Sequence, residues 1–292
     1  MAVAPQVFVD GAFYPADEAR ISVFDHGLLY GDGVFEGIRA YAGRVFRLDR
    51  HIDRLLSSAR AIDLKVPWSR DDLSAAVVGA LRRNGLRDGY VRLVLTRGRG
   101  SLGIDPRSCT AGPSIIVIAE PFPALFGDKY ERGLQVVTSS VRRMPAQSLP
   151  PTVKSLNYLN NILARIEANH RGADEALMLD LQGYVAEGSA DNVFIVRGKQ
   201  LMTPWTSTNL PGITREAVLE LAPGVGLDPH ERPFTLHEVW AADEVFLTGT
   251  AAEVAPVAAV DGRTIGQGGP GPRTREVAAA FRTLVGSEGT PI

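Results

Sequence analysis

The sequence TVKSLNYLNNIL, residues 152–163, combines a single lysine with a helical hydrophobic pattern. Apolar side chains recur at steps of three and four from this stretch onward, which predicts an amphipathic helix; they are Leu156, Leu159, Leu163 and Ile166. Lys154 precedes the helix. If the first turn is helical, Lys154 and Tyr158 point to the same side of it.

A lysine beside a tyrosine at the start of a helix suits a Schiff-base site. Removal from water weakens the preference of a lysine for its charged form, and the amine then becomes a usable nucleophile. The spacing leaves an alternative open, in which Lys154 is a solvated lysine that flanks a core helix. The chain has only four lysines, which makes Lys154 easier to single out; the others are Lys65, Lys129 and Lys199.

The composition indicates a globular protein without a strong electrostatic preference. A chain of 292 residues forms one large or two modest domains, and its 45% hydrophobic content suffices for a sizeable core. The net charge is −2, from 31 basic and 33 acidic residues. This balance gives no field that would attract nucleic acid or an anionic membrane.

The cysteine content and the N-terminal sequence predict a cytoplasmic protein. Cys109 is the only cysteine, so no intrachain disulfide can form, which fits a reducing compartment. The first residues, MAVAPQVFVDGAFY, lack the basic start and the long apolar run of a signal peptide. No stretch of roughly 18 uninterrupted apolar residues is present to span a membrane.

The order of elements predicts two domains. Residues 48–62 and 71–84 read as amphipathic helices, and residues 6–14 as a hairpin with an Asp-Gly turn. The strand pattern from Gly89 places Tyr90 and Arg92 on one face, which is either the wall of a polar pocket or a solvent-facing edge. The Pro- and Gly-containing segment 122–133 is predicted to connect an N-terminal domain, 1–121, to a C-terminal domain, 134–292.

Three further positions are candidates for charged contacts. Arg54 lies off the apolar stripe of helix 48–62, where it can bind a phosphate or be solvated. Glu187 lies in the loop AEGSADN, either buried beside a cation or in a turn exposed to water. The string LPGIT at 210–214 leads into a helix whose free N–H groups form a potential anion site.

Seven strings taken in order resemble one family. They are YGDGVFEGIR, HIDRL, YVRLV, VKSLNYLNN, GYVAEGSADNVF, LPGITRE and ADEVFLTGTAAEV. Together they resemble the class IV pyridoxal-phosphate aminotransferases of fold type IV, and within that group the branched-chain amino-acid aminotransferases. The resemblance extends from about residue 6 to residue 285. It implies an α/β fold with a small N-terminal α/β domain, a larger C-terminal domain, pyridoxal 5′-phosphate (PLP) in the cleft between them, and at least a homodimer.

The resemblance also implies roles for the cofactor residues. Lys154 would form the Schiff base with PLP and carry the proton between the substrate and the cofactor. Glu187 would pair with the protonated ring nitrogen, and Tyr158 would hydrogen-bond the phenolic oxygen of the ring. Arg54 would bind the phosphate as a fork of donors. The remaining residues of the implied cofactor site are Leu210, Ile213, Thr214 and Thr250.

For the substrate, the resemblance implies one pocket that accepts leucine and glutamate in turn. The α-carboxylate would bind near Tyr90 and the Thr250–Ala251 turn, and Arg92 would bind the distal carboxylate of glutamate or 2-oxoglutarate. The apolar side-chain pocket would be lined by Tyr30, Phe35 and Gly37.

The expected reaction is ping-pong amino transfer between L-branched-chain amino acids and 2-oxoglutarate. The alternatives on the same fold are a D-amino-acid or (R)-amine transaminase and, in a different reaction class, 4-amino-4-deoxychorismate lyase. Arg97 or Arg99 would favour the D-amino-acid alternative if either one held an α-carboxylate. A protein with the fold but without the cofactor is the non-enzymatic alternative.

Overall fold

The computed structural model describes residues 4–292. Its strands, in chain order, are β1 (Gln6–Val9), β2 (Ala12–Pro15), β3 (Gly33–Tyr41), β4 (Arg44–Val45), β5 (Gly89–Thr96), β6 (Ser114–Glu120), β7 (Leu134–Thr138), β8 (Glu175–Leu179), β9 (Val185–Gly188), β10 (Asn192–Arg197), β11 (Gln200–Thr203), β12 (Asp228–Glu231), β13 (Glu244–Gly249), β14 (Glu253–Val260), β15 (Arg263–Thr264) and β16 (Thr290–Pro291).

The helices in the same part of the chain are α1 (His26–Tyr30), α2 (Leu48–Ala61), α3 (Arg70–Arg83), α4 (Lys129–Arg132), α5 (Leu159–His170), α6 (Ile213–Leu221), α7 (Leu236–Trp240) and α8 (Pro272–Ser287). The predicted helices at 48–62 and 71–84 are confirmed as α2 and α3, and the predicted hairpin as β1 and β2. Among the helices of residues 4–292, none combines the length and the hydropathy that a membrane crossing requires.

The described chain forms two compact units. The first contains the residues up to Phe122 together with Val153–Asn157 and Val285–Ile292, and the second contains Pro123–Thr152 and Tyr158–Leu284. Two short segments from the second half of the chain thus belong to the first unit. The domain division at 1–121, 122–133 and 134–292 remains a prediction, and its first residues, 1–3, lie outside the described part.

The first unit is an antiparallel sheet in the order β16-β4-β3-β5-β6-β1-β2, with α2 and α3 against it. Side chains alternate along β5, so Val91, Leu93 and Leu95 lie in the core. Tyr90 and Arg92 point to the opposite face and are only partly buried. The predicted alternation of this strand is confirmed.

One edge of β3 is left open by its short neighbour. β4 pairs with β3 only at Ala40 and Tyr41, so the first residues of β3 need another partner on that side. The segment Val153–Asn157 supplies it, because Leu156 N donates to the Gly33 carbonyl at 2.9 Å. This pairing explains why residues so late in the chain belong to the first unit.

The second unit is a mixed sheet in the order β12-β11-β10-β13-β14-β7-β8-β9, with β15 paired to β14. β7 runs parallel to both of its neighbours, β14 and β8. The helix α5 packs on β8, so Ala164 and Ala168 contact Ala176 and Met178. Small side chains on the buried face of α5 allow this close approach.

The predicted apolar stripe of α5 faces outward. Leu159 is 65% exposed, and Leu163 and Ile166 are 46% and 41% exposed. The buried face instead contains Asn161, whose side-chain amide donates to the Ser189 carbonyl at 2.8 Å, and the two alanines. The periodicity of the stripe is helical, but it does not show which surface the stripe contacts.

Candidate active site

Lys154 lies in an extended segment of the first unit. Its carbonyl oxygen accepts a hydrogen bond from Phe35 N at 3.0 Å, and its own amide donates to Ser58 Oγ at 3.1 Å. The next residue, Ser155, forms an antiparallel bridge with Val34. Hydrogen bonds on both sides of Lys154 fix the point from which its side chain starts.

The condition under which Lys154 and Tyr158 would share one side of a helix is not met. α5 begins at Leu159, and Tyr158 occupies its N-cap position. Because no helical turn joins Lys154 to Tyr158, the spacing of four residues does not place them on one side. The prediction that Lys154 precedes the helix is confirmed.

The Lys154 side chain lies against an aromatic ring. Its Nζ is 4.6 Å from the centroid of the Phe35 ring, and the residue is partly buried. The guanidinium carbon of Arg92 is 4.5 Å from the same centroid. Both contacts are cation–π interactions, in which the ring quadrupole attracts each cation. Phe35 therefore connects the amine to the arginine.

Tyr90 and Arg92 form one cluster with Phe35 on the face of the first sheet opposite α2. Arg92 Nη2 donates to Tyr90 Oη at 3.3 Å, and the Tyr90 ring stacks on Phe122 with centroids 5.0 Å apart. Gly37 lies directly opposite Arg92 in the register of β3 and β5. The structure therefore brings together Phe35, Gly37, Tyr90 and Arg92 from the predicted substrate pocket.

Arg54 is held by a buried carboxylate on the other face of β3. Its Nε and Nη2 donate to the two oxygens of Glu36, each at 2.7 Å. His51, one helical turn before Arg54 on α2, places Nδ1 at 2.7 Å from Glu36 Oε2. Glu36 is fully buried, so this fork of donors compensates its charge.

The cluster determines the protonation of its own members. Burial alone would raise the pKa of Glu36, but the Arg54 guanidinium and the His51 ring outweigh it and lower the pKa from 4.5 to about 2. Burial lowers the pKa of His51, and the nearby Glu36 carboxylate opposes that shift only in part. At neutral pH the cluster therefore contains an ionised glutamate, a charged arginine and a neutral histidine.

Two predicted substrate residues of the first unit, Arg97 and Tyr30, form hydrogen bonds within that unit. Arg97 donates to both oxygens of Asp32, at 2.8 and 2.9 Å, and to the carbonyls of Ile62 and Asp63, at 2.7 Å each. Arg99 is exposed, and the Tyr30 hydroxyl donates to the Leu102 carbonyl. The bonds of Arg97 leave its fork of donors occupied within the first unit.

In the second unit, Glu187 is buried between two donors. Arg143 Nε donates to its Oε1 at 2.5 Å, and the backbone N–H of Leu210 donates to its Oε2 at 3.0 Å. Glu187 lies on β9, opposite Met178 of β8. Of the two predicted environments for Glu187, the structure therefore shows the one beside a cation.

The start of α6 is arranged to receive an anion. The helix begins at Ile213, and its N-cap residue, Gly212, has no side chain that could cap the first N–H groups. The Asn192 amide donates to the Leu210 carbonyl at 2.9 Å, and a Cβ on Gly212 would lie 2.0 Å from Asn192 Oδ1. A glycine is therefore required where the loop meets β10.

The turn after β13 contains the other predicted residues of the second unit. Thr250 and Ala251 form this turn and are partly buried. Two residues earlier, the hydroxyl of Thr248 is buried and finds no hydrogen-bond partner within residues 4–292. Because α6 contacts β13, backbone donors and threonine hydroxyls lie in this region of the second unit.

Four residues that lie next to candidate residues of the two units were not found by sequence analysis. Glu36 lies inside the string VFEGIR and His51 opens HIDRL, but a pattern within one strand or helix does not reveal a charge cluster between two elements. Arg143 precedes the proline-rich loop, and Asn192 lies in AEGSADN. A buried glutamate in a strand needs a cation nearby. Applied to Glu36, this rule would have predicted a cationic partner and so indicated the cluster.

Comparison with known proteins identifies the family. The family model described as amino-transferase class IV matches residues 33–260. This chain belongs to the class IV aminotransferases. The aminotransferase is 49% identical over 280 residues, 96% of either chain, to a Methanocaldococcus jannaschii protein provisionally named branched-chain-amino-acid aminotransferase.

Solved structures show the same fold. A T.th. branched-chain amino acid aminotransferase, complexed with N-(5′-phosphopyridoxyl)-L-glutamate, is 39% identical to this aminotransferase, with a TM-score of 0.92 over 98% of this chain and 95% of that one. The same T.th. enzyme complexed with 4-methylvaleric acid gives a TM-score of 0.91, at 39% identity over 98% and 96% of the two chains. The mixed helix and strand architecture is therefore that of fold type IV.

Replacing Glu36 should change how acid destabilises this aminotransferase. Because the pKa of Glu36 is lower in the folded chain, its contribution to stability is complete above pH 4.5 and is lost as the pH falls towards 2. Between pH 5.5 and pH 3, the wild type should lose about 2 kcal/mol more free energy of unfolding than Glu36→Gln. Urea unfolding followed by circular dichroism measures this difference.

The control for this experiment is Asp53→Asn, which removes an exposed carboxylate of α2 that pairs with Arg70 at the start of α3. Its stability should follow the wild-type pH curve closely. A Glu36→Gln curve that runs parallel to the wild type would contradict the assignment of an ionised, stabilising Glu36.

Proposed function

We propose that this class IV aminotransferase moves the amino group between L-branched-chain amino acids and 2-oxoglutarate. The observation that carries the proposal is the Phe35 ring, which contacts both the Lys154 amine and the Arg92 guanidinium. An apolar surface for a branched side chain and a cation for a distal carboxylate thus lie beside the same amine. One pocket with these two features suits both substrates.

The relatives support this substrate pair. The T.th. enzyme is named a branched-chain amino acid aminotransferase, and its complexes contain an L-glutamate adduct of the cofactor and 4-methylvaleric acid. The first ligand includes a dicarboxylic amino acid, and the second has a branched apolar chain. By similarity we assign both substrate classes to this chain.

The cofactor of this aminotransferase is PLP, and the residues present suit it. PLP needs an amine for its aldehyde, a carboxylate for its ring nitrogen and donors for its phosphate. The uncapped start of α6 and the unpartnered Thr248 hydroxyl supply donors for an anion, and Glu187 is a buried carboxylate. Bound PLP supplies a reactive carbonyl carbon and an electron-withdrawing ring.

Each unit contributes residues to this function. In the first unit, Lys154 provides the amine. Arg54, whose Nε and Nη2 are held by Glu36, contributes its positive charge to phosphate binding rather than a fork of donors. In the second unit, Glu187 accepts a hydrogen bond from the protonated ring nitrogen, and Tyr158 donates one to the ring oxygen. The residues of the second unit that complete phosphate binding are Leu210, Ile213, Thr214 and Thr250.

The proton transfer in this proposal is performed by Lys154. When the substrate nitrogen replaces it, the Lys154 amine is released and can accept the proton from the substrate Cα. The same Nζ then returns the proton. The amino group thus leaves the amino acid, which departs as an oxo acid, and is transferred to the second oxo acid.

Tyr90 and the Thr250–Ala251 turn bind the α-carboxylate, and Arg92 binds the distal carboxylate of 2-oxoglutarate. Tyr30 and Phe35 accommodate the apolar side chain, and Gly37, directly opposite Arg92, belongs to the same substrate pocket. The bonds that hold Arg97 to Asp32 and to two carbonyls count against its use for an α-carboxylate turned the other way. They therefore favour L-amino acids over D-amino acids.

The proposed assembly is a homodimer or larger homo-oligomer in the cytoplasm. Each unit carries apolar side chains that a single chain leaves in water: Leu159 and Leu163 on α5 of the second unit, and Leu102 and Ile104, 71% and 82% exposed, in the first. Contact with a second copy would remove them from water. The single cysteine supports a reducing compartment.

A panel of amino donors tests the proposed substrate class. With 2-oxoglutarate as acceptor, L-leucine should give a kcat/KM at least about tenfold above those of D-alanine and (R)-1-phenylethylamine, because each enantiomer places its side chain differently relative to Phe35 and Arg92. Glutamate formation in a coupled assay measures the rate. Faster turnover of D-alanine, or release of pyruvate from 4-amino-4-deoxychorismate without an acceptor, would contradict the proposal.

Replacing Arg92 should lower the activity with 2-oxoglutarate far more than the activity with 4-methyl-2-oxopentanoate. Arg92→Ala removes the cation for the distal carboxylate, so kcat/KM for 2-oxoglutarate should fall roughly 10- to 100-fold, while 4-methyl-2-oxopentanoate should change by no more than about threefold. The control is Arg82→Ala, which removes an exposed arginine from α3 of the same unit. Equal losses for the two acceptors would remove Arg92 from this role.

A charge on the exposed stripe of α5 should weaken assembly. Leu163→Asp places a carboxylate where the proposed contact is apolar, so sedimentation velocity should show a larger monomer fraction than in the wild type. Glu220→Asp, on the exposed end of α6, is the control and should sediment as the wild type. A wild-type protein that sediments as a monomer would contradict the proposed assembly.

A further inference from the structure

Gly37 has no backbone reason to be glycine. Its φ lies outside the left-handed region that favours glycine, and it lies in the middle of β3, where glycine weakens a strand. A side chain at this position would meet one neighbour. A Cβ on Gly37 would lie 2.0 Å from Tyr90 Oη and 2.8 Å from Tyr90 Cζ.

The Tyr90 hydroxyl therefore occupies the volume that a side chain at position 37 would fill. From there it accepts a hydrogen bond from Arg92 Nη2 at 3.3 Å. Gly37 and Arg92 are direct partners in the register of β3 and β5. The Tyr90 side chain thus extends diagonally across the two strands, and its hydroxyl contacts the Arg92 guanidinium beside Gly37.

A stack of side chains holds the Tyr90 ring in this position. Phe122 lies 5.0 Å from Tyr90, with 29° between the ring planes. The guanidinium of Arg39 is 4.9 Å from the Phe122 centroid and 4.7 Å from that of Tyr41. Such stacks restrict the torsions of the aromatic side chains they contain.

We propose that Gly37 determines specificity for the distal carboxylate because it provides the space for the Tyr90 hydroxyl, with Phe122 as the positioning residue for the Tyr90 ring. In this role Gly37 acts through Tyr90 on the orientation of Arg92, and it is not a wall of the apolar pocket. The inference rests on the proposed function, in which Arg92 binds the distal carboxylate.

Two roles for Gly37 make opposite predictions. If glycine leaves room for a branched side chain, Gly37→Ala should weaken branched ligands most. If glycine leaves room for Tyr90, the same variant should displace the hydroxyl, disturb Arg92 and weaken dicarboxylates most. The comparison of one ligand of each type therefore distinguishes the two roles.

The experiment measures equilibrium binding of two unreactive carboxylates to the PLP-loaded enzyme by isothermal titration calorimetry. Glutarate is the dicarboxylate probe, and 4-methylvaleric acid is the branched probe. In Gly37→Ala, the Kd for glutarate should rise roughly tenfold, the effect of disturbing a hydrogen-bonded charged group. Both probes present a carboxylate to Tyr90, so the Kd for 4-methylvaleric acid should also rise, but by no more than about threefold.

Phe122→Leu is the second variant, because Phe122 is only partly buried and leucine keeps an apolar side chain there. It should raise the Kd for glutarate in the same direction and by less than Gly37→Ala. Gly79→Ala is the matched control, since a Cβ on Gly79 would make an ordinary 3.7 Å contact with Phe13. It should bind both probes as the wild type does.

Three results would overturn the inference: a larger loss for 4-methylvaleric acid than for glutarate in Gly37→Ala, equal losses for both, or no change in either. These results would leave the proposed function intact, provided that the wild type binds both probes and Arg92→Ala loses glutarate. A wild type that binds neither probe would overturn the proposed function and the inference together.

Discussion

The backbone hydrogen bonds of Lys154 are the constraint on which the site of the first unit depends. They join a segment from late in the chain to the open edge of β3 and to Ser58 of α2. A lysine has four rotatable side-chain bonds, so its amine is directed only if the backbone below it is fixed. The short length of β4, which leaves that edge unpaired, is therefore part of how the chain positions a reactive amine.

The pleat of β3 then separates two kinds of chemistry. Glu36 points towards α2, where it pairs with Arg54 and His51. Phe35 and Gly37 point to the opposite face of the sheet, which they share with Tyr90 and Arg92. Neighbouring residues in one strand thus serve a buried charge cluster and a substrate surface. A shift of one residue in the pairing of β3 would exchange the two faces and remove both arrangements.

Local patterns predicted much of this fold, and contacts between elements account for what they missed. The periods of α2 and β5 and the Asp-Gly turn of the first hairpin are encoded within a few residues, so sequence analysis found them. The outward orientation of the leucines of α5 could not be predicted, because helical periodicity does not specify which face a sheet will cover. The partners Glu36 and Arg143 were missed because each meets its counterpart across the register of separate elements. The family strings supplied Lys154, Arg54 and Glu187, and the geometry added the partners that hold the last two.

The most direct test of the central claim is to identify which lysine carries the cofactor. The enzyme is loaded with PLP, reduced with borohydride, digested and analysed by mass spectrometry, since reduction converts a Schiff base into a stable amine that survives digestion. The account predicts a pyridoxyl group on the peptide that contains Lys154 and on no other peptide. A label on Lys65, Lys129 or Lys199, or no label at all, would contradict it.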